Sequence, residues 1–148
     1  MNAKAKNLNA VILDIRLCFN LLQSLADEMH ADLGVNASMR AVMESLAGGN
    51  EKTVPEIARS RGVSRQHIQM IANRLTAANL IKVRDNPDDK RTFLVSLTDR
   101  GQAMFGEMQD REAVELRRLS GAFSSRELEL ALNALRKLSD ILKGEEDE

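Results

Sequence analysis

The chain has no tryptophan and no tyrosine, and four phenylalanines are its only aromatic residues. Packing must therefore rest on Leu, Ile, Val, Met and Ala. A single cysteine excludes an internal disulfide framework and favours a reducing compartment. No unbroken apolar run approaches the roughly 20 residues that span a bilayer, and the N-terminus lacks an apolar signal core. These absences predict a cytoplasmic protein with no membrane partner.

Motifs for catalysis and metal binding are missing as well. The sequence has no P-loop, no GxGxxG, no HExxH and no GxSxG. His30 and His67 are far apart and lack Cys or clustered carboxylate partners, so they do not suggest a metal site. We therefore expect no enzymatic activity and no cofactor.

Positive charge is balanced by negative charge over the whole chain but exceeds it in one segment. The net charge of the 148 residues is −1, yet the 52–100 segment holds ten Lys or Arg and five Asp or Glu. The segments on both sides of it are net negative, and the C-terminus is an acidic tail, Glu145 to Glu148, which we expect to be solvated. A local basic patch is what contacts to DNA phosphates require.

The basic segment carries the pattern of a helix-turn-helix. Thr53 and Glu56 are spaced as a capping box around Pro55, which predicts a helix start. Gly62 is placed to end that helix in the left-handed conformation, and Ser64 is placed to cap a second helix. A small residue, a glycine turn and an apolar residue at this spacing are typical of a helix-turn-helix.

Two strands are predicted after the second helix. The runs 80–84 and 92–97 are rich in β-formers and flank the turn sequence Asn86-Pro87-Asp88-Asp89. A helix-turn-helix followed by a two-stranded ribbon is a winged helix. The prediction is a mainly α chain whose winged helix-turn-helix, residues 36–97, carries a two-stranded β wing.

Long amphipathic helices are predicted on both sides of the winged helix. An apolar stripe at helical spacing runs over residues 8–33, and a shorter helix should follow an Asn36 N-cap. Two further helices are expected within residues 98–143, with a break at Gly121. The stripes are too long for one small winged domain to cover, which predicts burial between two chains.

The stretch from Asp89 to Gly101 resembles the D-x-R…L-T-x-x-G wing signature of the MarR family of bacterial and archaeal regulators. The order of the predicted helices is similar too, so the resemblance covers nearly the whole chain. It implies a homodimer whose terminal helices, 8–33 and 98–143, interlock, while two winged lobes read a palindromic operator in double-stranded DNA. It also implies a small-molecule effector that binds between the two kinds of lobe. That region would draw on Met29, His30, Met39, Met43 and parts of the first and fifth helices, and the methionines suit an apolar pocket and a packed core equally.

The second helix of the helix-turn-helix is the candidate recognition helix. Ile68, Ile71, Ala72 and Leu75 share one face, which should be buried. The opposite, polar face can read bases or hold phosphates, since Gln and Asn pair with adenine and Arg with guanine or phosphate. A solvated helix face is the alternative. The candidate DNA-binding residues of this helix are Ser64, Arg65, Gln66, His67, Gln69, Met70, Asn73 and Arg74.

The wing supplies the remaining candidates, Arg84, Asp89 and Arg91. The resemblance places Arg91 toward a minor groove and implies that Asp89 fixes it. Lys82 and Lys90 fit ordinary surface charges of an exposed hairpin.

Cys18 has two interpretations. Leu17-Cys18-Phe19 resembles the L-C-F stretch of hydroperoxide-sensing members of the family, which implies a redox site. In those members tyrosines hydrogen-bond the thiolate, and this chain has none. A small core residue on the apolar stripe is the other interpretation.

The function predicted from the sequence is a sequence-specific transcriptional regulator, and a repressor rather than an activator. A redox-sensing regulator of the same fold that acts through Cys18 is one alternative. A winged helix that binds protein is the other.

Overall fold

The computed structural model describes residues 1–146 and divides into two compact units, Met1–Gln109 and the part that begins at Asp110. Two residues of the acidic tail, Asp147 and Glu148, lie outside the described residues. The helices are α1 (Ala3–Met29), α2 (Ala37–Leu46), α3 (Val54–Arg61), α4 (Arg65–Ala77), α5 (Asp99–Ser120) and α6 (Ser125–Glu146), and the strands are β1 (Lys52–Thr53), β2 (Ile81–Asp85) and β3 (Phe93–Leu97).

The N-terminal helix differs from its prediction at both ends. Asn2 accepts the Ala5 N–H at 2.8 Å, and this N-cap starts α1 at Ala3 rather than near residue 8. At the other end α1 stops at Met29, and a short 3₁₀ helix, Ala31–Leu33, follows. The single helix predicted over residues 8–33 is therefore wrong in its bounds, because Asn2 caps α1 near the terminus and His30 ends it before the 3₁₀ helix.

The helix-turn-helix forms as its caps predict. The Thr53 side chain accepts the Glu56 N–H while the Glu56 carboxylate accepts from the Thr53 backbone, which completes the capping box. Gly62 ends α3 with φ +66°, a conformation that glycine adopts without strain. Ser64 Oγ then accepts the His67 N–H at 3.1 Å and starts α4.

The winged helix is confirmed, with one strand more than the ribbon predicted. The sheet is antiparallel in the order β1-β3-β2, with Val83 opposite Val95 and Thr53 opposite Leu94. Strand β1 is two residues long, which is too short for an alternating pattern to reveal. Thr53 thus both pairs in the sheet and caps α3.

One apolar core holds the winged part together. Helices α2, α3 and α4, the sheet and the start of α5 all contribute side chains that are at most 7% exposed. The core residues are Val35, Met39, Val42, Met43, Leu46, Ile57, Ala58, Ile68, Ile71, Ala72, Leu75, Leu80, Ile81, Val95, Leu97, Phe105 and Met108.

A backbone junction at Leu80 fixes where α5 leaves the sheet. The Thr98 N–H donates to the Leu80 carbonyl at 3.0 Å, and the Thr98 hydroxyl donates to the Asn79 carbonyl at 2.7 Å. The same hydroxyl oxygen accepts the Gly101 N–H, so Thr98 also caps α5. A Cβ at Gly101 would lie 2.0 Å from the Leu80 oxygen. Only glycine permits this approach.

Helix α6 presents its apolar residues to solvent in the single chain. Ser124 and Glu127 form a capping box at its start, because Ser124 Oγ accepts the Glu127 N–H while the Glu127 carboxylate accepts the Ser124 N–H. The aliphatic residues of the stripe are about half exposed. They include Leu128, Leu132, Leu135, Ile141 and Leu142.

Helix α1 is likewise uncovered, since none of its 27 residues, all of them described, is buried. By length and composition alone it is apolar enough to cross a membrane, although no unbroken apolar run in the sequence marks it. Asp14 and Arg16 lie near its middle, and at a bilayer centre a charged side chain costs roughly 2.5–3.5 kcal/mol. A protein surface, which can accommodate the charged side chains of Asp14 and Arg16, is therefore a more favourable environment for α1 than a bilayer.

The Leu80 junction generates a stability prediction. Gly101→Ala forces a methyl group against a backbone carbonyl and should cost about 1–3 kcal/mol of unfolding free energy. Gly106→Ala is the matched control in the same helix, because a Cβ there meets nothing within 4 Å. It should stabilise by about 0.5–1 kcal/mol. Urea unfolding followed by circular dichroism measures both, and equal free energies for the two variants would contradict the account of the junction.

Candidate nucleic-acid interface

The buried and exposed faces of α4 are those predicted from its periodicity. Ile68, Ile71, Ala72 and Leu75 are at most 5% exposed and anchor the helix on the core. Six candidates of the opposite face are exposed, and they are Arg65, Gln66, Gln69, Met70, Asn73 and Arg74. The core thus fixes which side chains α4 offers to a partner.

Side-chain hydrogen bonds order the turn of the wing. Asn86 Nδ2 donates to Thr92 Oγ1 at 2.9 Å, and Asn86 Oδ1 accepts the Asp88 N–H at 3.1 Å. The Thr92 N–H donates to the Asp89 carbonyl. These bonds fix the conformation of the turn between β2 and β3, and with it the positions of the residues from Asn86 to Thr92.

Asp89 and Arg91 are in contact, as the resemblance implied. Asp89 Oδ1 accepts the backbone N–H of Arg91 at 3.0 Å and its Nε–H at 3.2 Å. The backbone bond and then the side-chain bond hold the pKa of Asp89 below its ordinary value. The Arg91 side chain is nevertheless 90% exposed. Asp89 therefore orients the guanidinium without removing it from solvent.

An open groove of about 910 Å³ lies between α4 and the wing. It brings together six of the candidates, which are Arg65, Gln66, Gln69, Asn73, Asp89 and Arg91. Arg59 of α3 and Phe93 of β3 also line it, and the sequence reasoning missed both. The signal for Arg59 was an exposed cation one turn before Gly62. Phe93 could be found only from the strand register.

Four candidates assigned to the recognition helix are placed away from this groove. Ser64 acts as the N-cap of α4, and His67 is half-buried on another side of the helix, where it lines a separate cavity. Met70 and Arg74 are exposed on α4 but do not line the groove.

Cys18 is exposed on α1, so it is not a core residue of the single chain. A redox role for Cys18 stays a prediction.

Arg84 lies on the other face of the ribbon. Side chains alternate along a strand, and Val83, but not Arg84, lines the groove beside α4. Arg84 instead donates to Glu51, with Nε–Oε2 at 2.5 Å and Nη2–Oε1 at 3.0 Å. In this bidentate pair the Glu51 carboxylate neutralises the positive charge of Arg84, which the sequence predicts to bind DNA. Glu51, just before β1, was not among the candidates because its partner is distant in sequence.

A separate cavity of about 360 Å³ lies on the anchored side of α4. Its walls come from α1, α2 and α4 and from the ends of the turn between α3 and α4. The lining includes Phe19, Leu22, Val42, Val63, His67 and Ile71. His30, Met39 and Met43, named for the effector region, are instead buried, the two methionines in the core. Of the two roles that the sequence leaves open for the methionines, Met39 and Met43 therefore take that of filling the core.

Metal chemistry finds no support among residues 1–146. The described residues contain no group of three or more His, Cys, Asp or Glu side chains placed to hold a metal ion.

The Glu51–Arg84 pair predicts a titration. Hydrogen bonding from Arg84 lowers the pKa of Glu51, so the pair is intact above the ordinary carboxyl value and is lost as the pH falls through the lowered one. We expect Arg84→Ala to raise the pKa of Glu51 toward its ordinary value. Lys82→Ala is the control, because Lys82 contributes least and the pKa should stay low. Side-chain carbon NMR measures both, and an unmoved Glu51 pKa in Arg84→Ala would contradict the pair.

Sequence comparisons with known proteins match a large part of the chain. A model described as MarR family matches residues 34–92. The HTH-type transcriptional repressor MdtR of Bacillus subtilis is 32% identical over 120 residues, which cover 78% of this chain and 77% of that protein. An uncharacterized protein of Mycobacterium tuberculosis is 34% identical over 101 residues, covering 68% of this chain and 71% of its own length.

Solved structures give the same result. The crystal structure of a MarR family transcription regulator has a TM-score of 0.80 at 26% identity and covers 95% of each chain. A mutant MarR from E. coli complexed with operator DNA has a TM-score of 0.79 at 21% identity, covering 93% of this chain and 99% of that one.

Proposed function

Since this chain belongs to the MarR family and is a DNA-binding transcription regulator, we propose that it is a homodimeric, cytoplasmic repressor of a palindromic operator, relieved by a small ligand. The observation that carries the DNA-binding part is the groove between α4 and the wing. Polar α4 side chains line one of its sides, and Arg91, oriented by Asp89, lies on the other. Family membership does not favour the protein-binding alternative.

The groove supports a specific mode of docking. A recognition helix enters the major groove of DNA, and an arginine on a wing suits the narrow, negative minor groove. The sugar-phosphate strand between those two grooves must then pass between α4 and the wing. Arg59, Arg65 and Arg91 line that path. Of the two carboxylates there, Glu56 is engaged in the α3 capping box and Asp89 holds Arg91.

Arg84 is left out of the proposed contacts. Its pairing with Glu51 on the other face of the ribbon means that a phosphate would have to compete with a bidentate carboxylate. The proposed DNA-contacting residues are Arg65, Gln66, Gln69, Met70, Asn73, Arg74 and Arg91, with Asp89 as the residue that positions Arg91.

The exposed apolar helices support the homodimer. In the single chain both α1 and α6 leave leucines and other large apolar side chains in water. Monomers rarely leave such apolar surface uncovered, and burial between two copies would give an interface of the obligate kind, above about 2,000 Å². A two-fold axis would then present two α4 helices to half-sites about 10 base pairs apart.

The 360 Å³ cavity supports relief by a small ligand. It lies against the anchored face of α4, opposite the groove-facing residues. A ligand there would contact α1 and α4 at once, through residues such as Phe19 and Ile71. Ligand-induced helix shifts are typically about 1–2 Å, and a shift of α4 would move all of its base-contacting side chains together, so occupancy of this cavity would release the operator.

Arg91 provides the test of DNA docking. Arg91→Ala should weaken operator binding and lower the slope of log affinity against log salt by about one charge per wing. Lys90→Ala removes the same charge from the neighbouring residue and should change the slope much less. Fluorescence anisotropy over a salt series with operator DNA measures both. Equal slopes for the two variants would mean that the wing supplies only general positive charge.

Leu135 provides the test of the homodimer. Leu135→Asp would bury an unpaired charge between the chains and should abolish dimerisation and operator binding together. Leu130→Asp is the matched control, because at 100° per residue Leu130 lies about 140° around α6 from Leu135 and is similarly exposed. Sedimentation velocity measures the assembly. A wild-type monomer at micromolar concentration that binds operator tightly would contradict the proposal.

A further inference from the structure

We propose that Gln69 and Asn73 read the operator as one hydrogen-bonded unit, in which Gln69 positions the amide of Asn73, rather than as two independent side chains. Gln69 Nε2 donates to Asn73 Oδ1 at 2.9 Å. Both residues are exposed, and both line the groove between α4 and the wing. The inference rests on the proposed function, since it assumes that α4 faces base edges.

The bond determines what each amide can offer a base. An amide carries one oxygen that accepts and an amino group with two donor hydrogens. Asn73 Oδ1 is engaged by Gln69, so both hydrogens of Asn73 Nδ2 are left for a partner. Gln69 Nε2 uses one of its two hydrogens in this bond, and Gln69 Oε1 can still accept a hydrogen bond. The unit therefore presents a donor from Asn73 and an acceptor from Gln69.

These groups select different base edges in the major groove. A donor suits N7 or O6 of guanine, N7 of adenine or O4 of thymine, whereas an acceptor suits the amino group of adenine or cytosine. Residues four apart on a helix are separated by about 6 Å along its axis. Base pairs are stacked about 3.4 Å apart. The unit therefore spans neighbouring base pairs and reads them together.

The consequence is that the two residues cannot contribute independently. Without Gln69, nothing in the unit fixes the plane of the Asn73 amide, so the Asn73 contact is lost along with the Gln69 contact. Without Asn73, Gln69 loses the partner that orders its long side chain. An amide already held in position also loses less conformational freedom on binding. Each single substitution should therefore remove most of what the pair contributes.

The experiment is a double-mutant cycle on DNA binding by the full chain. Preferred sites are first selected with the wild type from random double-stranded DNA. Dissociation constants are then measured for the selected site and for each single base-pair change within it. The variants are Gln69→Ala, Asn73→Ala and the double substitution. Gln66→Ala, alone and with Asn73→Ala, is the matched control, since Gln66 is an exposed amide on the same helix that is not part of the pair.

We expect each single variant of the pair to bind the selected site about tenfold more weakly, in line with the discrimination of one good amide–base contact. The double variant should also be about tenfold weaker, not a hundredfold. Both single variants should lose discrimination at the same neighbouring base pairs. The effects of Gln66→Ala and Asn73→Ala should multiply. Multiplying effects for Gln69 and Asn73, with preferences lost at separate positions, would overturn the inference.

Asn73→Asp tests the direction of the bond. The carboxylate keeps an oxygen that accepts from Gln69 but replaces the Asn73 donor with a second acceptor. The preference at that position should move to a base pair that offers the amino group of cytosine. An unchanged preference would overturn the assignment of Asn73 as donor.

Failure of the proposed function has a different signature. If Gln66→Ala and both variants of the pair leave all base preferences unchanged, α4 does not read bases and the docking proposal fails with the inference. If Gln66→Ala alone changes a preference, α4 reads bases and only the paired unit is wrong. Circular dichroism should be unchanged in every variant because the substituted side chains are exposed.

Discussion

Gly101 packs against the Leu80 carbonyl while that carbonyl accepts the Thr98 N–H, so β2, β3 and α5 are tied at one backbone position. The sheet can pair only if this position is kept, because β2 begins there and β3 ends there. The wing extends from the same two strands. Helix α4 leads into β2 through Asn79, and the Thr98 hydroxyl donates a hydrogen bond to the Asn79 carbonyl. The geometry of the groove between α4 and the wing thus depends on a glycine that lies outside it.

In three pairs of polar side chains, one residue orients the other. Asp89 holds Arg91, Glu51 holds Arg84, and Gln69 holds Asn73. The consequence differs with position. Arg91 stays open to solvent beside the groove, whereas Arg84 is held by a carboxylate on the far face of the ribbon. Counting basic residues in the 52–100 segment would weight the two arginines equally, although they are not equally available to a phosphate.

Local signals could be predicted from sequence and distant ones could not. The capping residues Thr53 and Ser64 and the turn residue Gly62 interact with partners no more than four positions away, so the sequence predicts them. The buried face of α4 follows from the spacing of its apolar residues. Strand β1 was missed because two residues carry no period, and the Glu51–Arg84 pair because its members are 33 positions apart. The Gln69–Asn73 bond lies at the spacing of helical neighbours and was available from the sequence. It was missed because each amide was considered alone.

Helix α4 contributes to two surfaces without sharing a side chain between them. Gln69 and Asn73 belong to the groove, and His67, Ile68 and Ile71 belong to the cavity. The two sets interleave along 13 residues of one rigid helix. Natural selection can therefore alter the cavity lining by point mutation while the groove-facing residues stay as they are. If the cavity binds the effector proposed above, a gene duplicate of this chain could acquire a new chemical signal while its DNA-facing side chains stay the same.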